Sequence, residues 1–186
     1  MIDKCAKESK LYKLLRFCER QGSVGGRLVQ FQPGLETINA LPFQIGKVLV
    51  MSDIRTDDVR GNHAHYETEE ILVALTGGCT VDLDDGKGRK ESVHLSSCGS
   101  SGVAECGSKG VEVFLDDART QQPPYPDTKA ALLLYPHIWR VMRDFEPGTT
   151  LMVIANIKYD EADYIRDRAG FERIAKGWNG LGGSAG

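Results

Sequence analysis

The sequence predicts an all-β protein, a double-sheet sandwich or barrel of short strands with one helix in front of it. Three observations carry this. From Arg27 onward the chain breaks into short Val-, Leu- and Ile-rich runs separated by turn signals: RLVQF, KVLVMSDI, EEILVALTG, CTVDLDDG, ESVHLS, VEVFLDD, ALLLYP and TLMVIANIKY. The run VDLDDG alternates apolar with acidic residues and ends on the turn-forming pair Asp85-Gly86. The sequence shows no alternation of strand and helix patterns, no GxGxxG and no phosphate loop.

The N-terminal segment reads differently. Over residues 3–20, Leu11, Leu14, Leu15 and Cys18 recur at steps of three and four, with Lys and Arg between them, and Gly22, Gly25 and Gly26 follow. That spacing predicts an amphipathic helix packed on the main domain. Residues 1–26 are therefore expected to be a helical extension and residues 27–175 the β domain. The small and proline-rich stretch at 99–128 is expected to be an insertion, and the glycine-rich 176–186 a flexible tail that Trp178 docks locally.

Composition narrows the function classes. A net charge of −3 over 186 residues gives no reason for a nucleic-acid or membrane partner. No run of about 18 apolar residues is present, and the first residues lack a signal peptide's apolar core. The five cysteines include no CxxC pair, which argues against a zinc knuckle or a disulfide framework and for a reducing cytoplasm. Cys79, in a Val-rich run, reads as a core thiol.

The chemistry concentrates in VRGNHAHYETEEILVALTG, residues 59–77. Strand alternation places His63 and His65 on one face. If that face points inward, the space in front of it is a polar cavity, because two buried imidazoles need partners. Two uses are open. HxH followed by Glu70 has the spacing of the first cupin motif, and two imidazoles with a carboxylate suit a divalent transition metal. The usual further ligand is missing from LLLYPHIWRVMRDF. His137 supplies it only in a shifted register, and Arg140 in the cavity would repel a cation. The other use is proton transfer α to a ketone, with histidine as acid and base and nearby donors holding the enediolate.

RGNHAH, LDDG, YPHIW and above all YDEADYIRD (159–167) make the chain similar to the nucleotide-sugar 3,4-ketoisomerases of the cupin class, from about Arg27 to Phe171. These enzymes isomerise dTDP-4-keto-6-deoxyglucose. The resemblance implies a cupin jelly roll, a homodimer, a nucleotide-sugar substrate, no required metal or other cofactor, and an active site at the two histidines. By the same resemblance His65 is the base moving the proton between C3 and C4, and His63 orients the sugar. Arg60 binds a pyrophosphate oxygen or holds its loop, and Trp139 walls the hexose. Glu70, Arg140 and Tyr159 complete the expected substrate-binding set. The block Tyr159, Asp160, Glu161, Asp163, Tyr164 and Arg166 is expected to serve mainly the C-terminal turn.

The chain departs from that family at Glu70, where glutamine is usual, at Arg140, where histidine is common, and in KVLVM, where a tyrosine-bearing strand is usual. These departures keep three other readings in view: a metal-dependent cupin using His63, His65 and Glu70, a sugar-nucleotide epimerase, and a non-catalytic sensor.

Overall fold

The computed structural model describes residues 9–21, 24–34, 40–97 and 128–178. The expected strand VEVFLDD and the rest of the 99–128 insertion fall outside them, apart from Thr128, as does the tail beyond Trp178. The strands are β1 (Tyr12–Gln21), β2 (Arg27–Val29), β3 (Gln32–Pro33), β4 (Ala40–Leu41), β5 (Lys47–Met51), β6 (Arg60–His65) and β7 (Glu70–Thr76). There follow β8 (Gly78–Asp84), β9 (Lys90–Ser96), β10 (Thr128–Leu134), β11 (Trp139–Arg143), β12 (Thr150–Ala155) and β13 (Tyr164–Ile165), and then helix α1 (Arg168–Ala175).

Two antiparallel sheets face each other. The larger runs β2-β1-β10-β7-β12-β5 and the smaller β13-β6-β11-β8-β9. Between them lie Leu72, Leu132, Leu151 and Val153 from the larger sheet and Val81, Leu83, Val93, Leu95 and Met142 from the smaller. Each contributes about 1.5–3 kcal/mol by leaving water. The predicted all-β sandwich is the observed architecture, consistent with a cupin-like fold.

The predicted N-terminal helix is corrected. Tyr12–Gln21 is a strand, paired with β10 in the register Tyr12↔Leu134 to Cys18↔Thr128. Leu11, Tyr12 and Leu14 join the core between the sheets. Leu15 and Phe17 face the other way, under Val29, Phe31, Leu41 and Phe43 of the segment that crosses the outside of the sheet. A strand buried on both faces loses its period-2 signature, and its apolar residues then fall by accident at helical spacings.

The one α-helix among the described residues is C-terminal. Asp167 caps α1, accepting from the N–H groups of Ala169 and Gly170, and Phe171 and Ala175 are buried. They pack with Ala64, Trp139 and Ile165 on the outer face of the smaller sheet. Trp178 stacks on His137, ring centroids 3.8 Å apart and 15° from parallel, which ties this end of the chain down.

Candidate active site

Both histidines project inward from β6. His63 stands opposite Arg140 of β11, and across a bulge Gly61 pairs with Val141 and Arg60 with Met142. Cross-strand partners share a face. Met142 belongs to the inner core, so the bulge brings Arg60 to the same side as His63 and His65, although a step of three along a regular strand would put Arg60 and His63 on opposite faces. The bulge is built from positive-φ backbone at Gly61 (83°) and Asn62 (54°). A Cβ on Gly61 would stand 2.8 Å from the Arg140 carbonyl oxygen, so only glycine fits there. Arg60 itself is half exposed and binds Asp58 at 2.6 Å, at the rim.

The larger sheet supplies the opposite wall. In β5, Met51 and Leu49 pair with the inner residues Leu151 and Val153, which puts Lys47 on the inner face too. Ala155 of β12 joins Lys47 to Glu70 in one cross-strand row. Imidazoles and guanidinium from one sheet therefore meet a carboxylate and an ammonium from the other.

His65 is fully buried. Its Nδ1 lies 2.8 Å from Asp163 Oδ2 and its Nε2 3.3 Å from Glu70 Oε1. Asp163 also accepts from the Glu67 N–H (2.7 Å) and from the Thr68 hydroxyl. Burial pushes the Asp163 carboxyl up, but those hydrogen bonds outweigh it and hold the group below the usual carboxylate range. An ionised carboxylate only accepts, and Asp163 is the nearer of the two, so in the neutral ring Nδ1 carries the proton and Nε2 holds the lone pair. Once Nε2 takes a proton, the imidazolium lies between two carboxylates.

Glu70 is 5% exposed. Burial raises its pKa, but Arg140 and then His65 overcome that and bring it to about 2. Arg140 is 1% exposed, its NH2 nitrogen 3.6 Å from Glu70 Oε2, and none of its three guanidinium nitrogens has a hydrogen-bond partner. Its five N–H donors have this one long carboxylate contact as their ion pair, and a buried guanidinium can engage further acceptors.

His63 offers Nδ1 to the Gly61 carbonyl at 3.0 Å. Burial and the Arg140 charge push its imidazole down to about 4, so it is neutral at pH 7. An unfolded chain protonates this ring near 6.5. Acid therefore favours the unfolded state between these values, and the stability present above pH 6.5 is lost as the pH falls through 4. The size is on the order of 3 kcal/mol. Glu70 extends the loss from about 4.5 down to about 2. Urea midpoints should fall as the pH drops from 7 to 4, and His63→Gln should flatten that segment alone. An unchanged slope in the variant would assign the loss to another group.

The ligand atoms of His63, His65 and Glu70 lie within 4.8 Å of one another. The set nonetheless suits a resident cation poorly. The buried Arg140 guanidinium already neutralises Glu70, and an added divalent ion would face its charge. His137 does not complete the set. It has φ 65°, its ring stacks on Trp178, and its backbone N–H donates to the His65 carbonyl at 2.8 Å.

Trp139 is corrected. It is the strand neighbour of Arg140 and so faces the other way, buried against Phe171 and Ala64. It lines an outer groove of about 670 Å³ with Asp84 and Arg168, behind the sheet from the imidazoles. Tyr159 is 65% exposed and donates to Glu161 at 2.6 Å. Two residues outside the expected site set belong to it: Asp163, and Tyr164, whose ring centroid lies 4.3 Å from that of His65 and 5.0 Å from that of His63. Both stand in YDEADYIRD, whose tight turn at Glu161–Asp163 delivers them to the edge of β6.

The profile described as FdtA, WxcM-like, C-terminal, matches residues 8–103 and 98–176. The chain belongs to this family. It is 29% identical over 170 residues to the TDP-4-oxo-6-deoxy-alpha-D-glucose-3,4-oxoisomerase of Aneurinibacillus thermoaerophilus, covering 91% of this chain and 94% of that one. A 3,4-ketoisomerase structure from Helicobacter canadensis superposes with a TM-score of 0.63 at 28% identity, covering 89% of this chain and 97% of the other. The fold is also that of the 3,4-ketoisomerase QdtA from Thermoanaerobacterium thermosaccharolyticum, solved as a mutant with TDP-4-keto-6-deoxyglucose (TM-score 0.66, 23% identity, 91% and 97% covered).

Proposed function

We propose that this member of the FdtA family is a sugar-nucleotide 3,4-ketoisomerase that moves the keto group of a dTDP-linked 4-keto-6-deoxyhexose between C4 and C3, with His65 as the base. The observation that carries the mechanism is the buried His65, its Nδ1 committed to Asp163 and its Nε2 3.3 Å from Glu70, whose other oxygen faces the buried Arg140. A C3–H adjacent to the C4 ketone is acidic only if the enediolate oxygen is held. A guanidinium in a site closed to water holds such an oxygen far better than solvent does. The nucleoside diphosphate anchors the substrate, so the imidazole meets an oriented C3–H. Arg60 at the rim is suited to a pyrophosphate oxygen by its fork of donors, while His63 accepts from a sugar hydroxyl at Nε2.

Incubation with dTDP-4-keto-6-deoxyglucose in heavy water tests this reading. Deuterium should enter at C4 of a 3-keto product and at C3 of recovered substrate. Entry at C5 alone would make the protein an epimerase, and no entry with retained binding would make it a sensor.

The working form in this reading is a cytoplasmic homodimer. Among the described residues no helix is long and apolar enough to cross a membrane. β5 is the edge of the larger sheet, and Val48 and Val50, 51% and 60% exposed, stand on its outer face. A bare apolar edge of this kind favours pairing with a second copy. Val50→Asp should convert the dimer to monomer in sedimentation velocity. A monomeric parent protein would remove the proposal.

A further inference from the structure

The ketoisomerase reading leaves one proton without a carrier. His65 moves hydrogen between carbons, but the hydroxyl proton must also pass from O3 to O4. The groups around the imidazoles can be sorted by whether they have a proton to exchange. His63 has one N–H, and it is spent on the Gly61 carbonyl. Glu70 and Asp163 are ionised and only accept. Arg140 donates but does not give up its proton.

Tyr164 differs. Its ring packs against both imidazoles, and the Arg166 guanidinium lies over it at 4.3 Å from the centroid. Its phenol oxygen lies 3.2 Å from Lys47 Nζ. An ammonium only donates, so in this contact the phenol oxygen accepts. The phenolic hydrogen is then free to point at another acceptor. Lys47 comes from β5 and Tyr164 from β13, the facing edges of the two sheets. The pair therefore joins the two sheets at their edges, directly beside the imidazoles.

We propose that Tyr164, held by Lys47, carries the hydroxyl proton between the two sugar oxygens. The steps balance. His65 Nε2 takes the proton from C3, the C3–H electron pair becomes the C3=C4 bond, and the carbonyl pair moves onto O4. O4 takes the phenol proton, leaving a phenolate beside the Lys47 ammonium. The phenolate takes the proton from O3, the C3=O bond forms, and the C3=C4 pair takes the proton back from His65 at C4. Both residues end as they began, and no outside oxidant or reductant is used.

This inference rests on the ketoisomerase reading, and the experiment separates the two. Parent protein, Tyr164→Phe and Lys47→Met are each incubated with dTDP-4-keto-6-deoxyglucose in heavy water. Isomerisation and deuterium wash-in at C3 of recovered substrate are followed together, with thermal melting as a fold control. Tyr164→Phe should lower isomerisation about 10²-fold while wash-in falls less than about tenfold, at nearly unchanged KM. Lys47→Met should shift the two rates in the same sense, and Lys47→Arg should recover part of the loss. Isomerisation and wash-in falling equally would make Tyr164 a wall that positions His65, and undiminished isomerisation would remove it from the chemistry; either result overturns the inference. Should Tyr164→Phe fail to fold, Lys47→Met decides on the same ratio. A parent protein that neither isomerises nor exchanges would overturn the function reading itself.

Discussion

His65→Asn lowers isomerisation by about 10³- to 10⁴-fold and leaves binding of the nucleotide sugar intact. Asparagine keeps a donor near Asp163 and fills much of the ring's space, but it has no lone pair of useful basicity. In the proposed reading the nucleotide is anchored away from this ring, so calorimetric affinity for dTDP should change by less than about threefold. Turnover fails because both proton transfers to carbon use Nε2, and deuterium wash-in at C3 should vanish with it. A variant that still exchanges at C3 would transfer the role of base to another group. Asp163, which receives the Nδ1 proton at 2.8 Å, sets the tautomer that this prediction depends on.

The second large effect is on stability. Glu70→Ala leaves the fully buried Arg140 without its counter-charge. Removing one partner of a buried pair typically costs about 3–5 kcal/mol, because the other charge stays in a dry site. Arg140→Met added to Glu70→Ala should restore most of that loss, since an apolar pair of similar bulk needs no solvation. Turnover should not return with it. If Arg140 holds the enediolate oxygen, the double variant remains about 10²- to 10³-fold slow although well folded. Urea denaturation and single-turnover rates measured on all three variants test this, and a stable double variant at parental speed would confine Arg140 to a structural part.

Much of this site was legible in the amino-acid string, for reasons particular residues make plain. The step of two between His63 and His65 survives in the fold because β6 alternates there without interruption. Strand periodicity alone would put Arg60 on the opposite face from His63, since its observed side needs the bulge at Gly61–Asn62, and only the family resemblance drew it into the expected site. The paired expectation for Trp139 and Arg140 contained its own contradiction, because adjacent strand residues face opposite sides. Asp163 stood inside the most distinctive motif, but nothing local says that a short turn 98 residues from His65 will bring its carboxylate to that ring. Helix α1 carried a capping Asp167 and an apolar Phe171, Ile174 and Ala175, which a helical reading of RAGFERIA would have found. The N-terminal segment misled for a deeper reason: its cover of Val29, Phe31, Leu41 and Phe43 is a tertiary arrangement that no local window contains.

That N-terminal strand also sets an order of events during synthesis. β1 lies between β2 and β10, and its long partner reaches the ribosome exit only when the chain is about 120 residues further on. At about 5–20 residues per second the nascent protein carries an unmatched Leu11, Leu14 and Phe17 for roughly 6–24 s. Final zippering is thus a late, long-loop closure. Cellular yield will then depend on how well this stretch is shielded from neighbouring polypeptides while it waits.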